Sequence, residues 1–214
     1  MRIGILGSGL MGGTLGTIFA RAGHDVMFSY ARNNDKLNKL ARDAQGNARS
    51  GTPAEAALEA DAILLAVHWS RVDDALKQAG DLSGKAIVTC SLPMDEGNTK
   101  LIIGTTTSGA EELARKVPRA YVVCAFNTVP SEVLFDVYEA RSKKPRSSLV
   151  YCGDDRSAKD LASALIEDVG FDPVDAGPLR IARYTEPFAL LIGQLAYEGE
   201  GGPELAYRFE RFGG

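Results

Sequence analysis

Short apolar runs alternate with amphipathic stretches along most of the chain. The first run is Ile3, Gly4, Ile5 and Leu6. Residues 15–22 follow with a helix-compatible pattern that Gly23 should end. Val26, Met27 and Phe28 read as a second strand, with His24 as a turn residue before it. Residues 33–43 are polar, with Leu37 and Leu40 spaced for one helix face, and a short strand is expected near 47–50. Thr52, Pro53 and Glu55 carry the signature of a capped helix start, which predicts a helix to Glu59. Residues 62–67 are continuously apolar, as a parallel strand covered on both faces is. A helix over 72–79, a strand over 85–89, a loop, and a helix from a second capping box at Ser108 and Glu111 to Val117 continue the alternation. Strands at 120–125 and 148–152, a helix over 157–169 opened by Asp154 or Asp155, and a last strand at 172–175 complete it. Such alternation predicts an α/β fold with a doubly wound, mostly parallel sheet.

Residues 177–214 change character. Positions 179–197 are helical in pattern, with Tyr184, Phe188, Leu191, Ile192 and Leu195 grouped, and Pro187 is expected to kink or restart the helix. An apolar helix after a complete sheet has to be covered. The expectation is a small C-terminal helical extension that caps the cleft or builds a homodimer interface.

The chemistry concentrates where strands end. Gly7, Ser8, Gly9, Leu10, Met11 and Gly12 fit the GxGxxG spacing between a strand and a helix, the setting a dinucleotide pyrophosphate requires. That makes residues 1–176 a Rossmann-type dinucleotide-binding domain in expectation. Past the second strand, Ser29, Tyr30 and Arg32 occupy the place where an NAD site carries a carboxylate. A hydroxyl and a guanidinium suit a 2′-phosphate, so the expected cofactor is NADP(H). Val67, His68 and Trp69 leave the apolar run at 62–67, and Ser91 leaves the following strand; all four are expected at the cofactor crevice. Trp69 reads as a cofactor or substrate wall, or as an aromatic shielding the core. His68 reads as a proton donor or a plain loop residue. Asn127 and Thr128 should emerge near the nicotinamide, unless they merely fix the strand end. The hydroxyl-rich loop at 104–109 is either a substrate loop or mobile surface.

The formal charge of -4 argues against nucleic acid or an anionic membrane as partner. No apolar run approaches the ~20 residues a bilayer span needs. With a strand at the very start there is no room for a signal peptide, so a cytoplasmic location is expected. Cys90, Cys124 and Cys152 lack metal-ligand spacing and read as buried, reduced thiols; no metal site is expected.

Four stretches, GSGLMGG, SYAR, VYCGDD and DAGPLRIARYTEP, together resemble the F420-dependent NADP oxidoreductases, small reductases that pass hydride between NADPH and a deazaflavin. The resemblance implies an NADP fingerprint at Gly7 to Gly12 and 2′-phosphate contacts at Ser29 and Arg32. It places Trp69 and the end of the sixth strand beside the nicotinamide. The same domain occurs as the cytosolic part of a membrane ferric reductase. Archaeal members carry histidine where this chain has Phe126, a departure that bears on the acceptor and not on NADPH. The expected activity is an NADPH-dependent hydride transfer to a flavin-like small-molecule acceptor, coenzyme F420 or a flavin. Other acceptors (a quinone, a ferric chelate or an imine) and a non-catalytic NADPH-binding redox sensor are the alternatives.

Overall fold

Where a strand is covered on both sides, successive residues enter opposite layers. The computed structural model describes residues 1–31 and 33–212. Its strands are β1 (Arg2–Leu6), β2 (Asp25–Ser29), β3 (Ala48–Ser50), β4 (Ala62–Leu65), β5 (Ala86–Thr89), β6 (Tyr121–Cys124), β7 (Ser148–Gly153) and β8 (Asp172–Asp175). Its helices are α1 (Leu10–Arg21), α2 (Asn34–Ala44), α3 (Pro53–Glu59), α4 (Val72–Ala79), α5 (Gly109–Lys116), α6 (Leu134–Glu139), α7 (Arg156–Val169) and α8 (Ala182–Gly193). Ile3, Ile5, Ala62, Leu64, Val88 and Val123 join one apolar cluster with α1, α2, α6 and α7. Leu6, Ile63, Leu65, Ile87, Val122 and Cys124 join the other, with α3, α4, α5 and the start of α8. The continuous apolar runs thus carry two cores, one on each face of a single sheet.

The strand order is β3-β2-β1-β4-β5-β6-β7-β8. Winding proceeds outward from β1 to β3, returns to β4 and runs outward again, so the doubly wound expectation holds, with its switch point between β1 and β4. One step departs from parallel pairing: β7 runs antiparallel to β6, with Val123 opposite Gly153 and Cys124 opposite Cys152. Nothing in the composition of residues 148–152 announces that reversal, because a strand buried on both faces reads the same in either direction.

Local capping follows the sequence. Thr52 and Glu55 form the expected capping box, and Asp155 caps α7 by accepting from Ala158 N–H at 2.8 Å. The CGDD and DAGPLR stretches meet in space. Gly153 N–H donates to Gly177 O at 3.1 Å, and Asp154 Oδ1 accepts from Leu179 N–H at 2.9 Å. Three expectations need correction. Helix α1 begins at Leu10, hard against the glycine turn. Helix α8 runs through Pro187, which rules out a restart there and leaves the kink as the alternative of the two expected. His24 is buried, and its Nε2–H reaches Asp168 of α7 at 2.9 Å, so it ties two elements together as well as turning the chain. Beyond α8 the chain doubles back, and Tyr207 pairs with Ser148 beside β7.

Candidate functional site

The carboxyl ends of the parallel strands meet the start of α1 at the switch point. Gly7 has φ +108°, and a Cβ there would lie 2.3 Å from Ala66 O and 2.6 Å from Val67 Cγ1. A Cβ on Gly12 would lie 1.9 Å from Gly7 O. Both glycines are demanded by the protein's own packing. Gly9 is different. Its φ of -77° suits any residue, and nothing stands within 4 Å of where its Cβ would be. Packing does not demand glycine at this position; glycine serves well as a helix N-cap, and it leaves room for a closely approaching ligand.

Gly9 also serves as the N-cap of α1 without any side-chain cap, and the first turn holds no acid. The first helical bond runs from Gly13 N–H to Gly9 O at 2.9 Å. The N–H groups of Leu10, Met11 and Gly12 therefore precede the helical ladder at the positive end of the helix dipole. Leu10 is 78 % exposed, a large apolar side chain beside this open turn. Met11 is half-buried.

Several expected contacts are committed elsewhere. Ser8 is buried, and its hydroxyl donates to Ser29 O at 3.0 Å. Ser29 has no exposed surface, and its hydroxyl donates to Ile5 O at 2.7 Å, joining β2 to β1. It turns into the sheet. Ser91 is buried too, its hydroxyl donating to Val67 O at 2.7 Å. Thr128 is buried with its hydroxyl 2.8 Å from Tyr207 Oη. That bond fastens the returning tail and engages the Thr128 hydroxyl within the fold. His68 uses both ring nitrogens: Nδ1 accepts from Ser70 Oγ at 2.9 Å, and Nε2–H donates to Asp95 O at 3.2 Å. In this arrangement His68 orders the loop after β4 and holds the next loop to it. Arg32 lies outside the described residues.

Three expected residues are not absorbed in this way. Tyr30 adopts φ +56° and donates its hydroxyl to Asp74 Oδ2 of α4 at 2.6 Å. Burial, then the bond to Asp74, pushes its phenol up to about 12, so the hydroxyl stays protonated and donating. Trp69 borders an open surface depression of about 480 Å³ lined by Ile102, Ile103, Thr106, Thr107, Glu112 and Lys116. Asn127 is buried, and neither its Oδ1 nor its Nδ2 has a hydrogen-bond partner among the described residues. A buried amide without partners costs about 1–3 kcal/mol. The residue before it, Phe126, holds φ +62°, a left-handed conformation that costs a bulky side chain about 1–3 kcal/mol. The Phe126 ring is fully buried, 6.2 Å from that of Phe19. The departure from the archaeal pattern is therefore a core residue.

Sequence reasoning missed Asp74, since nothing in the sequence ties α4 to the end of β2. It also left undecided whether residues 104–107 belong to a site; their place opposite Trp69 comes only from the fold. Among the described residues no group of three or more His, Cys, Asp or Glu could hold a metal ion. No helix among them is long and apolar enough to cross a membrane.

The doubly wound sheet, the glycine turn and the uncapped helix start define an α/β fold of the kind in which dinucleotides bind at the switch point. Residues 2–93 match the family model described as NADP oxidoreductase, coenzyme F420-dependent. The chain is 29 % identical over 189 residues to metalloreductase STEAP3 of Rattus norvegicus, a match that covers 88 % of this chain and 36 % of that protein. It thus spans about a third of the relative's length. A crystal structure of a candidate F420-dependent NADP-reductase from Arthrobacter sp. FB24 superposes with a TM-score of 0.86, at 24 % identity, covering 99 % of this chain and 100 % of that one. A reductive aminase from Aspergillus terreus in complex with NADPH and ethyl-5-oxohexanoate superposes at 0.66, with 20 % identity, covering 90 % of this chain and 61 % of that one. At these identities the structural likeness is one of fold.

Proposed function

We propose that the chain binds NADP(H) across the carboxyl ends of β1, β4 and β6 and serves hydride transfer to a planar, flavin-like acceptor, coenzyme F420 or a flavin. The observation that carries this reading is the open start of α1, where Gly9 leaves room for a ligand and neither a side-chain cap nor an acid occupies the first turn. The N–H groups at the start of α1 would hold the pyrophosphate. Arg32 is assigned the 2′-phosphate. The unpartnered amide of Asn127 would bond the nicotinamide carboxamide, which also accounts for an otherwise costly buried group. The bound nicotinamide supplies the hydride. The chain's part is to orient two flat rings and keep water away. Trp69 and the depression beside it are the proposed acceptor wall, an indole and two isoleucines for a ring, with Thr106, Glu112 and Lys116 for its polar edge.

Calorimetric titration tests the cofactor. NADPH should bind well ahead of NADH, and Arg32→Ala should erase most of that preference. A protein that ignores NADP in both oxidation states, or prefers the unphosphorylated form, overturns the reading. Stopped-flow oxidation of bound NADPH against F420, flavins, quinones, ferric chelates and imines then identifies the acceptor. Tyr184, Leu191 and Leu195 lie along one exposed side of α8 and the turn after it, and they support a homodimer. Leu191→Glu with Leu195→Glu should shift a sedimenting dimer to monomer; an unchanged species would remove that face from the interface.

A further inference from the structure

Tyr30 sits in a conformation that glycine adopts with less strain, yet the position is tyrosine. The backbone gains nothing from that choice, so the ring has to account for it. Two bonds fix where the ring stands. Its main-chain carbonyl accepts from Ser8 N–H at 3.3 Å, which ties it to the glycine turn. Its hydroxyl donates to Asp74 Oδ2 in the first turn of α4 at 2.6 Å. Since β1 lies between β2 and β4 in the sheet, this second bond reaches past the end of β1, at the switch point where such sheets bind dinucleotides. The ring is half-buried, packed against the apolar cluster that contains Leu6, Leu65 and Val72. Asp74 in turn accepts from Gln78 Nε2 at 3.0 Å, so the acceptor is itself braced.

Resting on the NADP(H) reading above, we infer that the Tyr30 ring is the stacking platform for the adenine of the dinucleotide, and that Asp74 is a positioning residue that sets the ring's tilt. The outer face of a ring clamped at both ends offers a flat apolar surface, with little ordering left to do on binding. Its anchor on Ser8 fixes the spacing between that surface and the α1 N-terminus, which suits one molecule holding both a purine and a pyrophosphate.

Fragment titration separates the platform from the rest of the site. The probes are 2′,5′-ADP, which carries the adenosine half, and reduced nicotinamide mononucleotide, which lacks adenine. Tyr30→Gly removes the ring and relaxes the backbone, which offsets part of the lost packing and the lost bond to Asp74, so the variant should stay folded with a modestly lower melting point. It should bind 2′,5′-ADP about tenfold more weakly and reduced nicotinamide mononucleotide unchanged. Tyr30→Phe keeps the ring and should lose only a few-fold, as rings without their tether do. Asp74→Asn keeps an acceptor for the phenol and should restore nearly wild-type binding, whereas Asp74→Ala should match Tyr30→Phe. If Tyr30→Gly binds 2′,5′-ADP as well as or better than the wild type, the ring is not a platform and the inference is wrong while the cofactor reading stands. Equal losses for both fragments would also overturn it. A wild type that binds neither NADPH nor 2′,5′-ADP removes the cofactor reading and this inference together.

Discussion

Helices α1 and α5 both begin at the edge of the same sheet, and both present a positive N-terminus. The protein fills one of them itself. Helix α5 is capped by Ser108, which accepts from Glu111 N–H. The buried carboxylate of Glu186, brought in by α8, accepts from Gly109 N–H and Ala110 N–H at 2.9 Å each. Helix α1 has neither a side-chain cap nor an acid in its first turn. The two starts share the same dipole physics, so the dipole alone does not mark a ligand site. What marks it is the absence of an internal anion. The same test sorts the polar residues at the strand ends, since Ser8, Ser29, Ser91 and Thr128 are paired within the fold and Asn127 is not.

The largest predicted effect breaks the α1 start from within. Gly12→Ala drives a methyl into Gly7 O, which should cost about 3 kcal/mol of stability, the upper end of the usual overpacking penalty, and abolish NADPH binding. Gly9→Ala meets open space in the protein alone. It should melt with the wild type and still lose NADPH affinity by about tenfold or more, read by calorimetry. If both variants lose stability alike, Gly9 is structural and the contrast between the two helix starts fails.

At the α5 start the internal anion should betray itself through pH. Burial pushes the Glu186 carboxyl from 4.5 up to about 7, with Glu111 adding to the rise and the two N–H donors opposing it. A group raised in the folded state binds its proton there more tightly than in the unfolded chain. Its contribution to stability therefore falls as pH climbs from 4.5 to 7, and levels off beyond. The span amounts to about 3 kcal/mol. Glu186→Gln carries no proton to lose, so its stability relative to wild type should improve across that window in denaturant melts at pH 5 and pH 7.5. A gap that stays flat would mean that the Glu186 carboxylate is not strained by its burial.

How much of this was legible depends on what each residue is spent on. The glycine turn shows in the sequence because its function lies in missing atoms; a GxGxxG spacing reports backbone room directly. The strands of the doubly wound order and the capping box at Thr52 show because they obey local rules. Hydroxyls at strand ends do not. Ser29 and Thr128 look as available as any phosphate ligand, and only the third dimension hands one to Ile5 and the other to Tyr207. The antiparallel β7 and the pairing of Tyr30 with Asp74 are invisible for the same reason, since each depends on elements remote in sequence.

The smallest predicted effects sharpen the comparison at two adjacent residues. Asn127→Ala removes an amide that the fold leaves unpaired, so the free protein should lose little stability, the lost packing being offset by relief of the unsatisfied atoms. Turnover or NADPH affinity should fall by about tenfold, the worth of one or two neutral hydrogen bonds. Thr128→Val does the reverse. It strips the hydroxyl from Tyr207 Oη, which keeps its bond from Val150 N–H at 3.0 Å, and should cost about 1 kcal/mol of stability with NADPH affinity unchanged. Melting curves and titrations on the pair decide between them. If Thr128→Val weakens NADPH as much as Asn127→Ala does, the hydroxyl is shared between the tail and the cofactor. In that case internal pairing would no longer separate the residues that build the fold from those that meet the ligand.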